Sequence, residues 1–297
     1  MIDESSMSDR QPLEFTGERF TPECVREMAY EHWHRYAWAA ELVGGRDVLD
    51  AACGEGYGSN LLAVRASSVT GLDLSEVAVA HARERYSREN LSFDRGDVTD
   101  LPYEADRFDV VVSFETLEHL EAHETLLAEF RRVLRPGGFL VLSSPDRKTY
   151  SDETGYDNPY HVRELYRDEF ESLVSATFPA VRLYGQKLVF VSALWRLDGR
   201  EGGQFLTDEE GSISTGAIPD YPPLYFIALA AADERCLPSG PGLSLYGDRS
   251  ESVYRHYNDE VAKHIRAGHL LAEREAEIER LRAQLGRPWW RRLLGGS

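Results

Sequence analysis

Residues 48–58, Val-Leu-Asp-Ala-Ala-Cys-Gly-Glu-Gly-Tyr-Gly, constrain this chain more than any other stretch. A short apolar run ends at Leu49, glycines follow at Gly54, Gly56 and Gly58, and a helical pattern opens at Ser59. The apolar run suits a buried parallel strand. Strand, glycine turn and helix together form the first unit of a doubly wound α/β sheet. Glycine lets the backbone turn tightly and lets a ligand come close. The same turn can also be purely structural, so its meaning depends on the blocks that follow it.

The dinucleotide fingerprint G-x-G-x-x-G places a pyrophosphate on the helix N-terminus. Here the glycines run G-E-G-Y-G, and Asp50 stands four residues before the first of them. The order D-x-x-C-G-x-G-x-G resembles motif I of the class I S-adenosylmethionine-dependent methyltransferases. The resemblance implies a turn beneath the amino-acid part of that cofactor, where an acidic strand end is tolerable. Beside pyrophosphate it would be repelled.

Three more blocks follow in the family's order. Asp73 ends a second strand over 68–74, S-V-T-G-L-D-L, 23 positions after Asp50. A carboxylate there can accept from both ribose hydroxyls. Gly96-Asp97-Val98, with Leu101-Pro102 after it, resembles the family's adenine loop. The run L-R-P-G-G-F-L-V-L-S at 134–143 resembles its fifth-strand block. The resemblance spans roughly residues 46–145. It implies cofactor contacts at Asp50, Cys53, Gly54, Gly56, Asp73, Leu74, Asp97, Val98 and Phe114.

Bulk properties narrow the class. A chain of 297 residues, 42% of them hydrophobic, suits one large domain with appendages. Cys24, Cys53 and Cys236 have no paired spacing, so neither a disulfide framework nor a zinc knuckle is expected. Residues 1–11 are polar, with no apolar signal region, and are expected to be disordered. A reducing cytoplasm is the expected compartment. A net charge of −18 argues against a nucleic-acid backbone as substrate.

The expected fold is a Rossmann-like, doubly wound sheet of seven strands, the last antiparallel between the fifth and sixth. The expected domains are an N-terminal lid segment over 1–45, the cofactor-binding domain over 46–235 and a helical tail over 236–297. Residues 23–42 have a helical pattern, with Met28, Trp33, Tyr36, Ala37 and Ala40 on one face and Tyr30, His34 and Arg35 able to face a ligand. Strands are expected at 47–51, 91–96, 108–114, 139–143, 181–191 and 224–231, and helices at 76–86, 117–134 and 168–178. Residues 150–161 read as a substrate loop and 196–220 as an insertion. In the tail, Val253, Tyr257, Val261 and Ile265 recur at four, then Ile278, Leu281 and Leu285 follow, which predicts a long amphipathic helix. The chain finishes on a basic, aromatic stretch, R-P-W-W-R-R-L-L. The tail is expected to pair with itself, with a partner or with a membrane surface.

The chemistry-bearing residues gather after the fourth strand, at Glu115, Glu118 and His119. If a helix begins there, positions i, i+3 and i+4 share a face. His161, in the loop after strand five, can supply a fourth group. This E-x-x-E-H with a later histidine resembles the metal set of small-RNA 2′-O-methyltransferases and of some ubiquinone-pathway O-methyltransferases. The resemblance implies a divalent metal such as Mg²⁺ on Glu115, Glu118, His119 and His161. Relatives without metal use the histidine as a base or for packing. His161, His119 and Glu115 are therefore the candidate catalytic groups.

The start G-E-R-F-T-P, the stretch N-P-Y-H-V-R-E-L and the coiled tail resemble methyltransferases of bacterial polysaccharide assembly. That implies O-methylation of a sugar, nucleotide-sugar or glycan hydroxyl. The alternatives are another small-molecule acceptor, such as a phenol or antibiotic precursor, and a scaffold without activity.

Overall fold

The computed structural model describes residues 20–22, 27–191, 205–209, 212–216 and 221–285. Much of the 196–220 insertion, the N-terminal 1–19 and the R-P-W-W-R-R-L-L end lie outside these residues. By its internal contacts the chain divides into two units, Met1–Tyr246 and Gly247–Ser297.

The first unit opens with helix α1 (Glu27–Leu42) and strand β1 (Asp47–Ala51). Then follow α2 (Tyr57–Leu62), β2 (Ser68–Asp73), α3 (Glu76–Arg85), β3 (Leu91–Arg95) and β4 (Phe108–Ser113). After these come α4 (His123–Val133), β5 (Leu134–Pro145), α5 (Arg167–Thr177) and β6 (Ala180–Gln186). A separate hairpin, β7 (Phe205–Glu209) and β8 (Ser212–Gly216), precedes β9 (Tyr225–Ala231).

The seven-stranded sheet has the order β3-β2-β1-β4-β5-β9-β6. β1 pairs in parallel with β2 and β4, and β9 runs antiparallel between β5 and β6. The expected seven-stranded fold with its antiparallel last strand is the one observed. β4 carries three consecutive valines, all fully buried, because both faces of the sheet are covered. One core layer packs α1 and α2 on the sheet, and the other packs α4 and α5 on the opposite face. The winding direction reverses between β1 and β4, which opens a crevice at their C-terminal ends.

The Arg-Pro-Gly-Gly block does more than stop α4. It lies within β5, at a register shift against β4. There Arg135 reaches Asp47 at 2.9 Å and Asp109 at 3.0 Å, so one guanidinium ties three strands together at their starts. On α1, Tyr36 and Ala40 of the expected face are buried, Trp33 and Ala37 are half-buried and Met28 is exposed, while Arg35, Trp38, Ala39 and Leu42 are buried as well, so the buried face is broader than expected and turned away from Met28. β6 ends at Gln186, five residues short of the expected 191.

The largest departure is the helix expected over 117–134. The chain makes only one 3₁₀ turn, Leu117–His119, runs extended at Leu120, and enters α4 at His123. The cause is a pair of competing donors. The Glu118 carbonyl accepts from Val162 N at 2.7 Å and Arg163 N at 3.0 Å, so the following helical turn does not claim it.

Among the described residues, the second unit contains one helix, α6 (Ser252–Leu285), of 34 residues. Three ion pairs at i,i+3, Glu260–Lys263, Glu277–Arg280 and Glu279–Arg282, lie along it. No helix among the described residues is long and apolar enough to cross a membrane.

At Gly58 the Tyr36 ring of α1 packs directly on the backbone of α2. A Cβ there would lie 2.1 Å from the Tyr36 ring. Gly58→Ala should therefore cost about 1–3 kcal/mol through overpacking. Gly44, with nothing within 4 Å of its Cβ position, should accept alanine within about 0.5 kcal/mol. Thermal denaturation of the two variants side by side checks the difference.

Candidate active site

The crevice at the ends of β1 and β4 contains a cleft of about 320 Å³, lined among others by Cys53, Gly54, Asp73, Phe114, Glu115 and His119. Asp73, at the end of β2, accepts from Gly54 N at 2.8 Å and from Ser75 N at 2.9 Å. Its carboxylate thus ties the strand end to the glycine turn and borders the cleft. Cys53 is buried, and burial, with the charges of Asp50 and Asp73 behind it, pushes its thiol well above the ordinary value.

Other expected positions lie away from the lining. Asp50 is fully buried beneath the turn, where it accepts from Ser59 Oγ at 2.6 Å and Tyr36 OH at 3.1 Å. Burial pushes its carboxyl up to about 7, with the Asp73 charge adding to the shift. Asp50 therefore fastens α1 and α2 to β1. Gly56 turns its back to the cleft and packs on Ala82 and Phe93. Leu74 is exposed and Val98 sits in the core. Asp97 takes Thr99 N at 2.8 Å and Thr99 Oγ1 at 2.7 Å, bonds that hold its carboxyl below the usual range.

Glu55 is a lining residue that the sequence reading missed. Its carboxylate is fully buried and is held by Arg85 at 3.0 Å, His81 at 3.1 Å and Tyr86 OH at 2.8 Å. Three partners on and just after α3 thus hold the second residue of the G-E-G-Y-G turn.

Glu115 stands at the C-terminal end of β4 with a φ of 49°, a left-handed conformation that non-glycine residues seldom adopt. Several contacts hold it there. The Arg35 guanidinium pairs with its carboxylate, and Ser143 Oγ donates to Oε1 at 2.6 Å while accepting from Glu115 N at 3.0 Å. Arg35 is 1% exposed and stacks over the Tyr225 ring at 4.5 Å. It thus faces a carboxylate of its own chain, where the sequence placed a ligand. Tyr30 and His34 pack on Tyr246, and His34 also bonds Ser244 Oγ at 3.0 Å.

Glu118, His119 and His161 converge, each offering one donor atom within 4.8 Å of the others. The shared helix face from Glu115 to His119 does not exist, since Glu115 lies before the 3₁₀ turn, and Glu115 is not one of the converging three. The clamp of the 162–163 backbone on the Glu118 carbonyl brings His161 in instead. His119 Nδ1 donates to Tyr160 O at 3.1 Å, which puts the lone pair of the neutral ring on Nε2. His161 Nδ1 meets Glu164 Oε1 at 2.5 Å, and Ser151 Oγ donates to the other Glu164 oxygen at 2.6 Å. The His161 ring stacks on Tyr150, which belongs to a π-helical turn, Lys148–Asp152. Such turns often mark functional sites. The sequence reading missed Ser151 and Glu164. The spacing of Glu164 three residues after His161 was the available signal.

One carboxylate and two imidazoles fit a single divalent ion, with this nitrogen content favouring Mn²⁺, Fe²⁺ or Zn²⁺ over Mg²⁺. A carboxylate on the far nitrogen of a ligating histidine is a usual support for a metal, and it equally raises the basicity of a metal-free imidazole.

A family model described as a methyltransferase domain matches residues 49–142. A probable S-adenosylmethionine-dependent methyltransferase of Mycolicibacterium smegmatis is 42% identical over 201 residues, which are 65% of this chain and 76% of that protein. The phthiotriol/phenolphthiotriol dimycocerosates methyltransferase 1 of Mycobacterium ulcerans is 40% identical over 111 residues, 37% of this chain and 41% of that one. Among solved structures, the complex of the Haloferax volcanii Trm112 methyltransferase activator with its candidate methyltransferase aligns with a TM-score of 0.52 at 21% identity. It covers 69% of this chain and 91% of that one. At that identity the likeness concerns the fold alone.

Asp50 gives a pH signature. Its carboxyl holds a proton more tightly in the folded state, with a value near 7 against the ordinary 3.8. Its contribution to stability is therefore full at low pH and declines as pH rises from about 4 to about 7. Asn cannot titrate. The stability of the wild type minus that of Asp50→Asn should fall across this window by up to about 1.4 kcal/mol per pH unit. Urea unfolding at several pH values checks the sign.

Proposed function

As the chain belongs to the class I S-adenosylmethionine-dependent methyltransferases, we propose that it methylates a hydroxyl oxygen of a sugar, nucleotide-sugar or glycan. The observation that carries the oxygen chemistry is the His161–Glu164 pair beside His119, which lines the cleft. A hydroxyl is a poor nucleophile until its proton is removed. With Nδ1 committed to Glu164, His161 takes that proton on Nε2. The Glu164 carboxylate then stabilises the imidazolium, and Ser151 keeps the carboxylate in place. His119 and Tyr160 hold the acceptor edge of the cleft, and Phe114 covers its floor.

Asp73 holds the ribose hydroxyls, and Gly54 lets the main chain lie close to the cofactor. Bound there, the cofactor supplies a methyl group on a sulfonium that leaves as a neutral thioether. Lining up acceptor oxygen and methyl carbon can contribute about 7–11 kcal/mol. The pair of buried Arg35 with half-buried Glu115 and the clamped 160–163 loop are the rigid parts that supply this alignment.

The support for a sugar acceptor is the likeness of the G-E-R-F-T-P and N-P-Y-H-V-R-E-L stretches to polysaccharide-assembly methyltransferases. A second reading is an apolar hydroxylated acceptor. It is favoured by the Mycobacterium ulcerans relative, whose name gives phthiotriol and phenolphthiotriol dimycocerosates as what it methylates. The cytoplasm is the proposed compartment, in keeping with Cys53 and Cys236, both free thiols. Product masses from labelled cofactor, with sugar and lipid acceptors offered in parallel, decide between the two acceptors.

Two variants probe the machinery. Asp73→Ala should bind cofactor weaker by about tenfold or more, since a hydrogen bond to a charged group contributes about 1.5–3 kcal/mol. Calorimetric titration of the folded variant reads this, and unchanged affinity removes Asp73 from the cofactor site. His161→Ala should lose about 10²–10⁴-fold in rate, the usual share of a general base, with cofactor affinity intact. If Glu118, His119 and His161 work through a metal instead, a chelator abolishes activity and a divalent ion restores it. A base acting alone is indifferent to chelation.

A further inference from the structure

Beside the cleft lies a second and larger cavity of about 820 Å³, a volume typical of small-molecule sites. The two have no lining residue in common. They are joined through Arg35, which lines the larger cavity and pairs its guanidinium with Glu115 in the wall of the cleft. The cavity surrounds the C-terminal end of β6 and the start of β9, which pair at Gln186 and Tyr225. That is the same end of the sheet as the cleft, because Tyr225 also pairs with Pro145, just beyond Ser143 on β5. In open α/β sheets ligands collect at this end.

The lining has two characters. Trp38, Leu183, Tyr184, Phe226 and Ile227 give it an apolar wall. Its charged members are Arg35, Arg167, Arg182 and Lys187, all basic, and the described lining contains no Asp or Glu. The chain as a whole has 51 acidic residues against 33 basic ones, so this surface runs against the general charge. Two of the four cations are neutralised by carboxylates, Arg35 by Glu115 and Arg182 by Glu234. Arg167 and Lys187 are exposed and form no ion pair among the described residues. Exposed cations beside a low-dielectric wall, with no carboxylate in the described lining, concentrate positive potential.

We infer that this cavity docks the methyl acceptor, and that the group bearing the methylated hydroxyl is joined to an apolar body and to an anionic group, a carboxylate or a phosphate. Arg167 and Lys187 receive the anionic group and the apolar wall covers the body. Arg35 is the partition that sets the near end of the acceptor beside Glu115 and the cleft. Only the identification of the ligand as the acceptor rests on the proposed reaction. The recognition of an anion rests on the lining alone.

Two dyes of similar shape test the inference on the full chain: anilinonaphthalene sulfonate, an anionic amphiphile, and N-phenylnaphthylamine, its neutral counterpart. The sulfonate dye should bind one saturable site and outbind the neutral dye by about tenfold, the equivalent of one charge-assisted contact. S-Adenosylhomocysteine should not displace it. The double variant Arg167→Glu/Lys187→Glu should weaken the sulfonate dye by about tenfold or more, while its affinities for the neutral dye and for S-adenosylhomocysteine stay at wild-type values. Displacement by dodecanoate or by dodecyl phosphate supports the inference, and their order of potency identifies the head group. Three results overturn it: no saturable binding of the sulfonate dye, its displacement by S-adenosylhomocysteine, or equal binding by wild type and double variant. His161→Ala should bind the dye as the wild type does, so a failed base and a failed acceptor site give different results.

Discussion

The structure depends on one buried carboxylate. Asp50 ends the apolar part of β1 and accepts from Tyr36 on α1 and Ser59 on α2. Removing a carboxylate from water is costly unless its oxygens are satisfied. Here each oxygen has a hydroxyl partner, and the carboxyl is still pushed up to about 7. These two bonds fix where both helices sit, and Gly58 leaves the space that lets the Tyr36 ring reach Asp50. The glycine turn above inherits its position from this joint. The strand end, the turn and α1 therefore form one mechanical piece.

The other wall of the cleft is held by charge pairing. Arg35 is buried, stacked on Tyr225 and paired with Glu115, whose backbone is left-handed. Breaking such a pair by removing one partner is far more costly than never having built it. The pair thus fixes α1, the end of β4 and, through Ser143, the end of β5 as a unit. Strain at Glu115 can persist because these partners over-determine its position.

Much of this was legible in the sequence, and the reason lies in range. The valine run of β4, the glycines after β1 and the Asp73 strand end are local patterns, and their spacing placed them correctly. The missed features depend on partners distant along the chain. Nothing near Glu115 announces Arg35, eighty residues earlier, so a side chain expected to meet a ligand instead meets its own protein. The helix expected from Leu117 fails because a carbonyl at Glu118 is claimed by amides some forty residues later. Periodicity cannot report such a competitor. Glu164 was within reach of local reasoning, three residues after His161, but only the fold shows that the two side chains meet.

The Glu118 clamp has an evolutionary consequence. It is made of main-chain atoms on both sides: one carbonyl and the amides of Val162 and Arg163. Side chains at 162 and 163, both exposed, take no part in it. The loop that carries His161 is thus positioned by atoms that mutation leaves in place, except a change to proline, which lacks the amide. The side chains of Val162 and Arg163 can therefore vary while the backbone beside His161 keeps its place. A lineage could vary the surface around His161 without loosening the loop that carries it.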